Sequence, residues 1–144
     1  MRDIIYNTLH SKPGTYALFL QCKQQKTIQI GKFGSMDLRT GFYIYIGSAY
    51  GPGGIRARVG RHLREHKTKR WHIDYLAAET QPIDVYINYD KRLEHAWAKK
   101  LAGNEKYNTP LKGFGASDCH CETHLFFTVK NIKSQHLHWM TDLS

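Results

Sequence analysis

The sequence has only three cysteines, Cys22, Cys119 and Cys121, in 144 residues. An odd count, with Cys119 and Cys121 separated by a single residue, argues against the disulfide framework of a small secreted domain and leaves reduced thiols or metal ligands. No apolar run is long enough to span a bilayer, and residues 1–14, MRDIIYNTLHSKPG, lack the continuous apolar core of a signal peptide. A soluble, cytoplasmic protein with no membrane partner is the expectation. Internal repeats, low-complexity segments and linkers are absent, and apolar residues are spread along the whole length. Residues 1–144 should therefore form one domain around one core. Acidic residues are also scarce: 12 Asp and Glu stand against 21 Lys and Arg, for a formal net charge of +9. Such an excess points to a polyanionic partner, most often nucleic acid, although charge alone also serves solubility.

The placement of that charge is more informative than its total. Between positions 56 and 70 stand Arg56, Arg58, Arg61, Arg64, Lys67, Lys69 and Arg70, opposed only by Glu65, with His62 and His66 among them. Within this run Ile55, Val59 and Leu63 fall four apart, the stripe of an amphipathic helix over IRARVGRHLREH. Gly60 weakens that helix by roughly 1 kcal/mol relative to alanine, which a packed face overrides. Upstream, GTYALFLQC (14–22) and KTIQIG (26–31) read as strands joined by the polar turn KQQK, hence a hairpin. GFYIYIGSA (41–49) reads as a strand with Tyr43 and Tyr45 on one face and Phe42, Ile44 and Ile46 on the other, apolar enough to be covered on both sides. YGPGG (50–54) is a loop. Downstream, TKRWHIDYLAA (68–78) begins a helical turn and PIDVYINY (82–89) alternates as a strand. KRLEHAWAKKLAG (91–103) repeats the helical spacing through Leu93, Trp97 and Leu101 before the stop signal Gly103. Residues 104–118 are loop-like, and HLFFTV (124–129) closes the set as a strand. The fold class is α/β, a small, mainly antiparallel sheet flanked by helices.

Gly14-Thr15-Tyr16 and Tyr45-Ile46-Gly47 are two tyrosine-bearing elements about 30 residues apart, followed by an Arg-x-x-x-His helix, an order hard to obtain by chance. The pattern resembles the GIY-YIG nuclease superfamily, with GTY for GIY and YIG unchanged. By that resemblance Arg58 matches the catalytic arginine, His62 a second polar catalytic position, Glu94 of LEHAWAKKL the metal-binding glutamate, and Asn108 of Lys106-Tyr107-Asn108 an asparagine near the site. The GSAYGPGG, RHL…WHIDYL and FGASDCHCETHLF segments further resemble one small branch whose members stand alone or are fused to endonuclease III-type repair enzymes. The YGPGG loop lengthens the path from Tyr45 to Arg58 and so alters how DNA would approach.

The resemblance implies a divalent-metal-dependent endonuclease acting on DNA, in repair or recombination. Its chemistry is reasonable for these residue types. Arg58 offers a planar, permanently charged fork for phosphate oxygens. Glu94 offers a hard oxygen ligand for Mg²⁺ or Mn²⁺, ions that keep several waters and need few carboxylates. A phenol is a poor base unless positive charge stabilises its phenolate, which Arg58 and a metal would supply. Tyr16 is the favoured general base and Tyr45 orients water or binds phosphate, although the two roles are exchangeable. His62 is a proton relay or phosphate contact. Arg56, Arg61, Arg64, Lys67, Lys69 and Arg70, with Asn108, are the candidate nucleic-acid contacts. Against each role stands a plainer one: strand tyrosines pack cores, helix arginines are solvated, and Glu94 is within helical reach of a lysine.

Two other segments invite chemistry. Cys119, Cys121 and His124 form a C-x-C-x-x-H arrangement of zinc-ligand types, with Asp118, His120 or His10 as the open choices for a fourth ligand. The alternative is that they fix the segment against the core. In Trp71–Leu76, Trp71, Ile73 and Leu76 should pack the sheet while His72 and Asp74 approach the site. The competing functions are a non-catalytic nucleic-acid-binding module and a zinc-stabilised interaction domain. A lone catalytic domain would also need a protein partner or a dimer to find its target.

Overall fold

In chain order the elements of the computed structural model are α1 (Arg2–Asn7), β1 (Gly14–Cys22), β2 (Lys26–Ile30), β3 (Gly34–Leu38), β4 (Gly41–Ala49), α2 (Gly54–Leu63), α3 (His72–Ala77), β5 (Gln81–Tyr89), α4 (Glu94–Ala102) and β6 (Leu125–Thr128). The structure describes residues 2–64, 68–111, 113–114 and 123–131. The apolar segment of β1 has no polar face to offer solvent, and it becomes a central strand. The main sheet runs β5-β1-β4-β6 and every neighbouring pair is antiparallel.

Alternation along the strands then divides the core into two layers. Tyr16, Leu18 and Leu20 of β1 join Tyr43, Leu125 and Phe127 on one face, under Ile55, Val59 and Leu63 of α2, Ile73 and Leu76 of α3, and Ile5 of α1. Ala17, Phe19, Ile44, Ile46 and Phe126 take the other face, under Trp97, Ala98 and Leu101 of α4. The expected double coverage of β4 and the expected buried stripes of α2 and α4 are all present. The domain is small and α/β, as the sequence pattern requires.

Two expectations need correction. β1 does not form a hairpin with β2. Both edges of β1 are taken by β4 and β5, while β2 pairs with β3 in a separate two-stranded sheet. Lys26, Thr27 and Gln29 are exposed, a polar face that suits an outer ribbon better than the two-sided central sheet. The sparse alternation of Met36 and Leu38, both buried, was the only trace of β3 in the sequence. The basic helix also ends earlier than the residue pattern suggested: Arg64 is extended and exposed, because Leu63 is the last apolar residue of the stripe. Residues 2–7, to which the sequence pattern assigned no element, form α1.

The start of α2 shows why the loop before it is glycine-rich. The first helical N–H groups have no intrahelical acceptor. Here Ile55 N–H donates to the Lys12 carbonyl at 2.9 Å and Arg56 N–H to the His10 carbonyl at 3.1 Å. That approach puts Gly54, at φ +58°, hard against the Lys12 carbonyl, where no side chain would fit. The start of α3 is held differently. The fully buried Asp74 carboxylate accepts N–H donors from the Arg70 backbone at 2.7 Å, the Trp71 backbone at 2.9 Å, and Arg61 Nη1 and Nη2 at 2.5 and 2.8 Å. It ties α2 to α3.

Replacing Asp74 by alanine leaves a half-buried guanidinium without its counter-charge, so Asp74→Ala should destabilise the fold by about 3 kcal/mol in urea unfolding. Burial alone would raise the carboxyl's pKa. The hydrogen bonds from Arg61, Trp71 and Arg70, with the Arg61 charge, outweigh it and hold the group below its ordinary 3.8. The stabilisation is therefore complete above that ordinary value and is lost as pH falls through the lower folded value. The gap between wild type and Asp74→Ala should narrow on acidification below about pH 4.

Candidate active site

The register of β1 on β4 places Tyr16 opposite Gly47 and Leu18 opposite Tyr45. Tyr16 and Tyr45 therefore lie on the same face of adjacent strands, diagonal neighbours with ring centroids 6.4 Å apart. Gly47 is required here. A methyl group added to it would sit on the Tyr16 hydroxyl and ring, so the glycine of YIG is the space into which the tyrosine of the first motif folds. α2 crosses above both rings and lowers His62 between them. Tyr16 Oη and His62 Nε2 are 2.5 Å apart, and the imidazole centroid lies 5.5 Å from Tyr16 and 6.0 Å from Tyr45. Arg58, one turn earlier, is half-buried and donates from Nη1 to the Ser48 carbonyl at 3.2 Å.

Glu94 reaches the same place from the opposite side of the sheet. It stands in the first turn of α4, where the helix dipole favours a carboxylate. Thr15 delivers it. The buried Thr15 hydroxyl donates to the Lys91 carbonyl at 2.8 Å and accepts from the Leu93 N–H at 2.9 Å, pinning the entrance of α4 to β1 beside Tyr16. Thr15 replaces the isoleucine of GIY, and its hydroxyl gives the exchange a structural purpose that the motif alone does not disclose.

Tyr16, Tyr45, Arg58, His62 and Glu94 thus line one cleft of about 320 Å³, together with Ser48, Arg70, Trp71, His72, His95 and His124. Glu94 is the single acid among these lining residues. Burial raises the Tyr16 pKa well above 10, Tyr45 adds to the rise, and Arg58 opposes it by charge and hydrogen bond. Burial likewise pushes Tyr45 up to about 12 against the pull of Arg58. Arg58 acts in the direction expected, but burial outweighs it, and both phenols are protonated at neutral pH. A protonated Tyr16 hydroxyl can donate to His62 Nε2, and in that arrangement the imidazole carries its proton on Nδ1.

The candidate nucleic-acid contacts divide. Arg70 is exposed and lines the cleft. Arg61 is engaged by Asp74, by the Thr68 carbonyl at 2.9 Å and by the Trp71 ring. Arg56 lies over the Tyr6 ring and Lys69 over the Tyr75 ring, while Arg64 is exposed just beyond α2. Asn108 is not in the cleft. Its backbone bridges Phe127, and it borders a separate hollow with Ser35, Arg39 and Tyr43. Lys67, Cys119 and Cys121 lie outside the described residues, and His124 lies in the cleft beside Glu94 and His95 rather than at a site of its own.

Sequence reasoning undervalued the segment after the basic run. Trp71 does not pack the sheet: 38 % exposed, it lies beneath two guanidinium groups, with Arg58 Cζ 4.5 Å and Arg61 Cζ 4.2 Å from its ring centroid. The indole steadies Arg58 through its π face and takes none of its N–H donors. The only signal for this in the sequence was a tryptophan following a run of arginines. His72 does reach the cleft, against Phe33 at 4.4 Å.

Among known proteins, a family model described as "Domain of unknown function DUF123" matches residues 15–144. No curated protein and no solved structure matches the chain. Among the described residues no helix is long and apolar enough to cross a membrane.

The packing of Tyr16 on Gly47 predicts that Gly47→Ala folds but is destabilised by about 1–3 kcal/mol, the range of overpacked cores. The same variant should break the Tyr16–His62 hydrogen bond, visible as a shift of the His62 ring resonances by NMR. Unchanged His62 resonances would show that the ring and the strand relax around the methyl.

Proposed function

The chain belongs to the DUF123 family, a GIY-YIG-like family of unknown function, and on that footing we propose that it is a divalent-metal-dependent endonuclease that hydrolyses DNA phosphodiester bonds. The observation that carries this reading is the convergence of Tyr16, Tyr45, Arg58, His62 and Glu94, from two strands and two helices, on one cleft. A binding surface needs only positive charge. It has no use for one buried and one half-buried phenol, an imidazole hydrogen-bonded to the first, and a carboxylate at the same spot.

Each group has a task in the displacement at phosphorus. Arg58 carries five N–H donors. With one donor on Ser48, another on the Tyr16 hydroxyl and its plane steadied by Trp71, the rest of the fork can grip the non-bridging phosphate oxygens and meet the charge that develops on them. Tyr16, protonated and hydrogen-bonded to His62, works better as a relay than as a preformed phenolate. As the attacking water yields a proton to Tyr16 Oη, the phenolic proton passes to His62 Nε2, so no buried phenolate has to persist. Tyr45 Oη, also protonated, donates a hydrogen bond to the water or to the phosphate. Arg70 at the rim contacts the backbone of the nucleic acid. Glu94, half-buried at the N-terminus of α4, is suited to hold Mg²⁺ or Mn²⁺, which when bound supplies positive charge to the departing oxygen and acidifies coordinated water. A role in repair or recombination, and a partner or second copy to target the domain, accompany this reading as proposals.

The test is cleavage of labelled duplex, single-stranded, flap, branched and abasic DNA with Mg²⁺ or Mn²⁺. Wild type should nick at least one substrate, while Tyr16→Phe and Glu94→Ala should lose roughly 10²–10⁴ in rate, the scale of general acid–base groups, and still bind DNA. Salt-sensitive binding without cleavage of any substrate would instead favour a non-catalytic nucleic-acid-binding module.

A further inference from the structure

His124 lines the cleft, its ring against His95 and one ring nitrogen without a partner among the described residues. It lies immediately before β6 and is 4 % exposed, and among the described residues its Nε2 is buried with no hydrogen-bond partner. The backbone on either side is fixed: His124 N–H donates to the Phe114 carbonyl at 2.8 Å, and its carbonyl accepts from Ile46 N–H at 2.9 Å. The imidazole is thus held in place by the sheet edge. Burial lowers its pKa and the neighbouring His95 assists, while the Glu94 carboxylate opposes them. The net result is a neutral ring. A buried polar atom without a partner is rare in native proteins, and an ion or an ordered water is a usual partner for one that the described residues leave open.

The chemistry of that partner follows from what surrounds it. Glu94 and His124 line the same cleft, the His124 Nε2 has no partner among the described residues, and His95 neighbours both, its Nε2 3.8 Å from Glu94 Oε1 and its ring centroid 6.4 Å from that of His124. We propose that Glu94 and Nε2 of His124 are two protein ligands of one divalent cation, and that the imidazole makes this site prefer a first-row transition ion such as Mn²⁺ over Mg²⁺. Mg²⁺ favours an all-oxygen octahedral shell and gives up its water reluctantly, whereas imidazole suits the softer first-row ions. Among the described residues no group of three or more His, Cys, Asp or Glu side chains is arranged to hold a metal. Two protein ligands would leave most of the shell to water and to a phosphate oxygen, as a site that must admit a substrate requires. The inference deepens the cleavage reading by naming its cation, yet its test reads binding alone.

Mn²⁺ is added to the purified full chain and its ligands are read by electron spin-echo envelope modulation. Mn²⁺ and Mg²⁺ affinities are measured by calorimetry. Wild type and His95→Ala should show the ¹⁴N modulation of a coordinated imidazole. His124→Ala should lose it and bind Mn²⁺ roughly 10- to 100-fold more weakly, the scale on which changes around a metal act on affinity, with Mg²⁺ binding little changed. His124→Gln, which keeps a polar side chain of related reach, should also lose the ¹⁴N signal and controls for a folding defect in the alanine variant. Glu94→Gln should weaken both ions. Absence of Mn²⁺ binding or of ¹⁴N modulation in wild type, its persistence in His124→Ala, or its loss in His95→Ala would each overturn the proposal. The two readings fail separately. A chain that binds Mn²⁺ through His124 and cleaves nothing keeps the cation site and loses the nuclease. A Mn²⁺-dependent nuclease without nitrogen coupling does the reverse.

Discussion

The antiparallel register of β1 on β4, with Tyr16 directly opposite Gly47, is the constraint on which the site depends. Side chains alternate strictly along a strand, so a slip of one residue would turn Tyr16 toward α4 and Ala17 toward α2, dismantling the cleft and both core layers together. The register is defended from both faces. Phe19, Ile44, Ile46 and Phe126 must meet Trp97 and Leu101 on one side, and Leu18, Leu20, Tyr43 and Phe127 must meet α2, α3 and the β2–β3 ribbon on the other. The hydrophobic effect that builds the sheet thereby also determines where two phenolic hydroxyls sit.

The rest of the site is brought to that fixed pair by polar contacts that are themselves buried. Thr15 binds the entrance of α4 through two hydrogen bonds, which places Glu94 across the sheet from α2. Asp74 binds Arg61 and the start of α3, which places Trp71 under Arg58. These polar groups are each satisfied by more than one partner, as burial requires. The candidate residues are thus held in place by a threonine, an aspartate and a tryptophan.

Burial and charge compete throughout the cleft. The phenols are held protonated because desolvation outweighs the single nearby guanidinium, and His124 is held neutral because desolvation outweighs the single nearby carboxylate. The described lining of the cleft thus sets one carboxylate, Glu94, against two guanidinium groups, Arg58 and Arg70.

Much of this was legible in the sequence. Period-two and period-four spacing marked β1, β4, β5, α2 and α4, because those elements bury a continuous face, and the two tyrosine motifs with Arg58, His62 and Glu94 named the members of the cleft. Local pattern could not assign partners. Nothing in KQQK or MDL tells β1 to pair with β4 and β5 instead of β2, since strand pairing is decided by which faces can be covered, and that depends on segments far away in the chain. Nor could pattern separate the basic run into its uses. Arg58, Arg61 and Arg70 carry the same guanidinium. Only the packing of α2 against α3 turned one toward the cleft, fastened another to the buried Asp74 and left the third at the rim. The sequence by itself determined which side chains were available and which faces had to be buried. The tertiary structure decided what each was for, because a guanidinium or an imidazole acquires its role from the burial and neighbours it meets, and those neighbours lie tens of residues away.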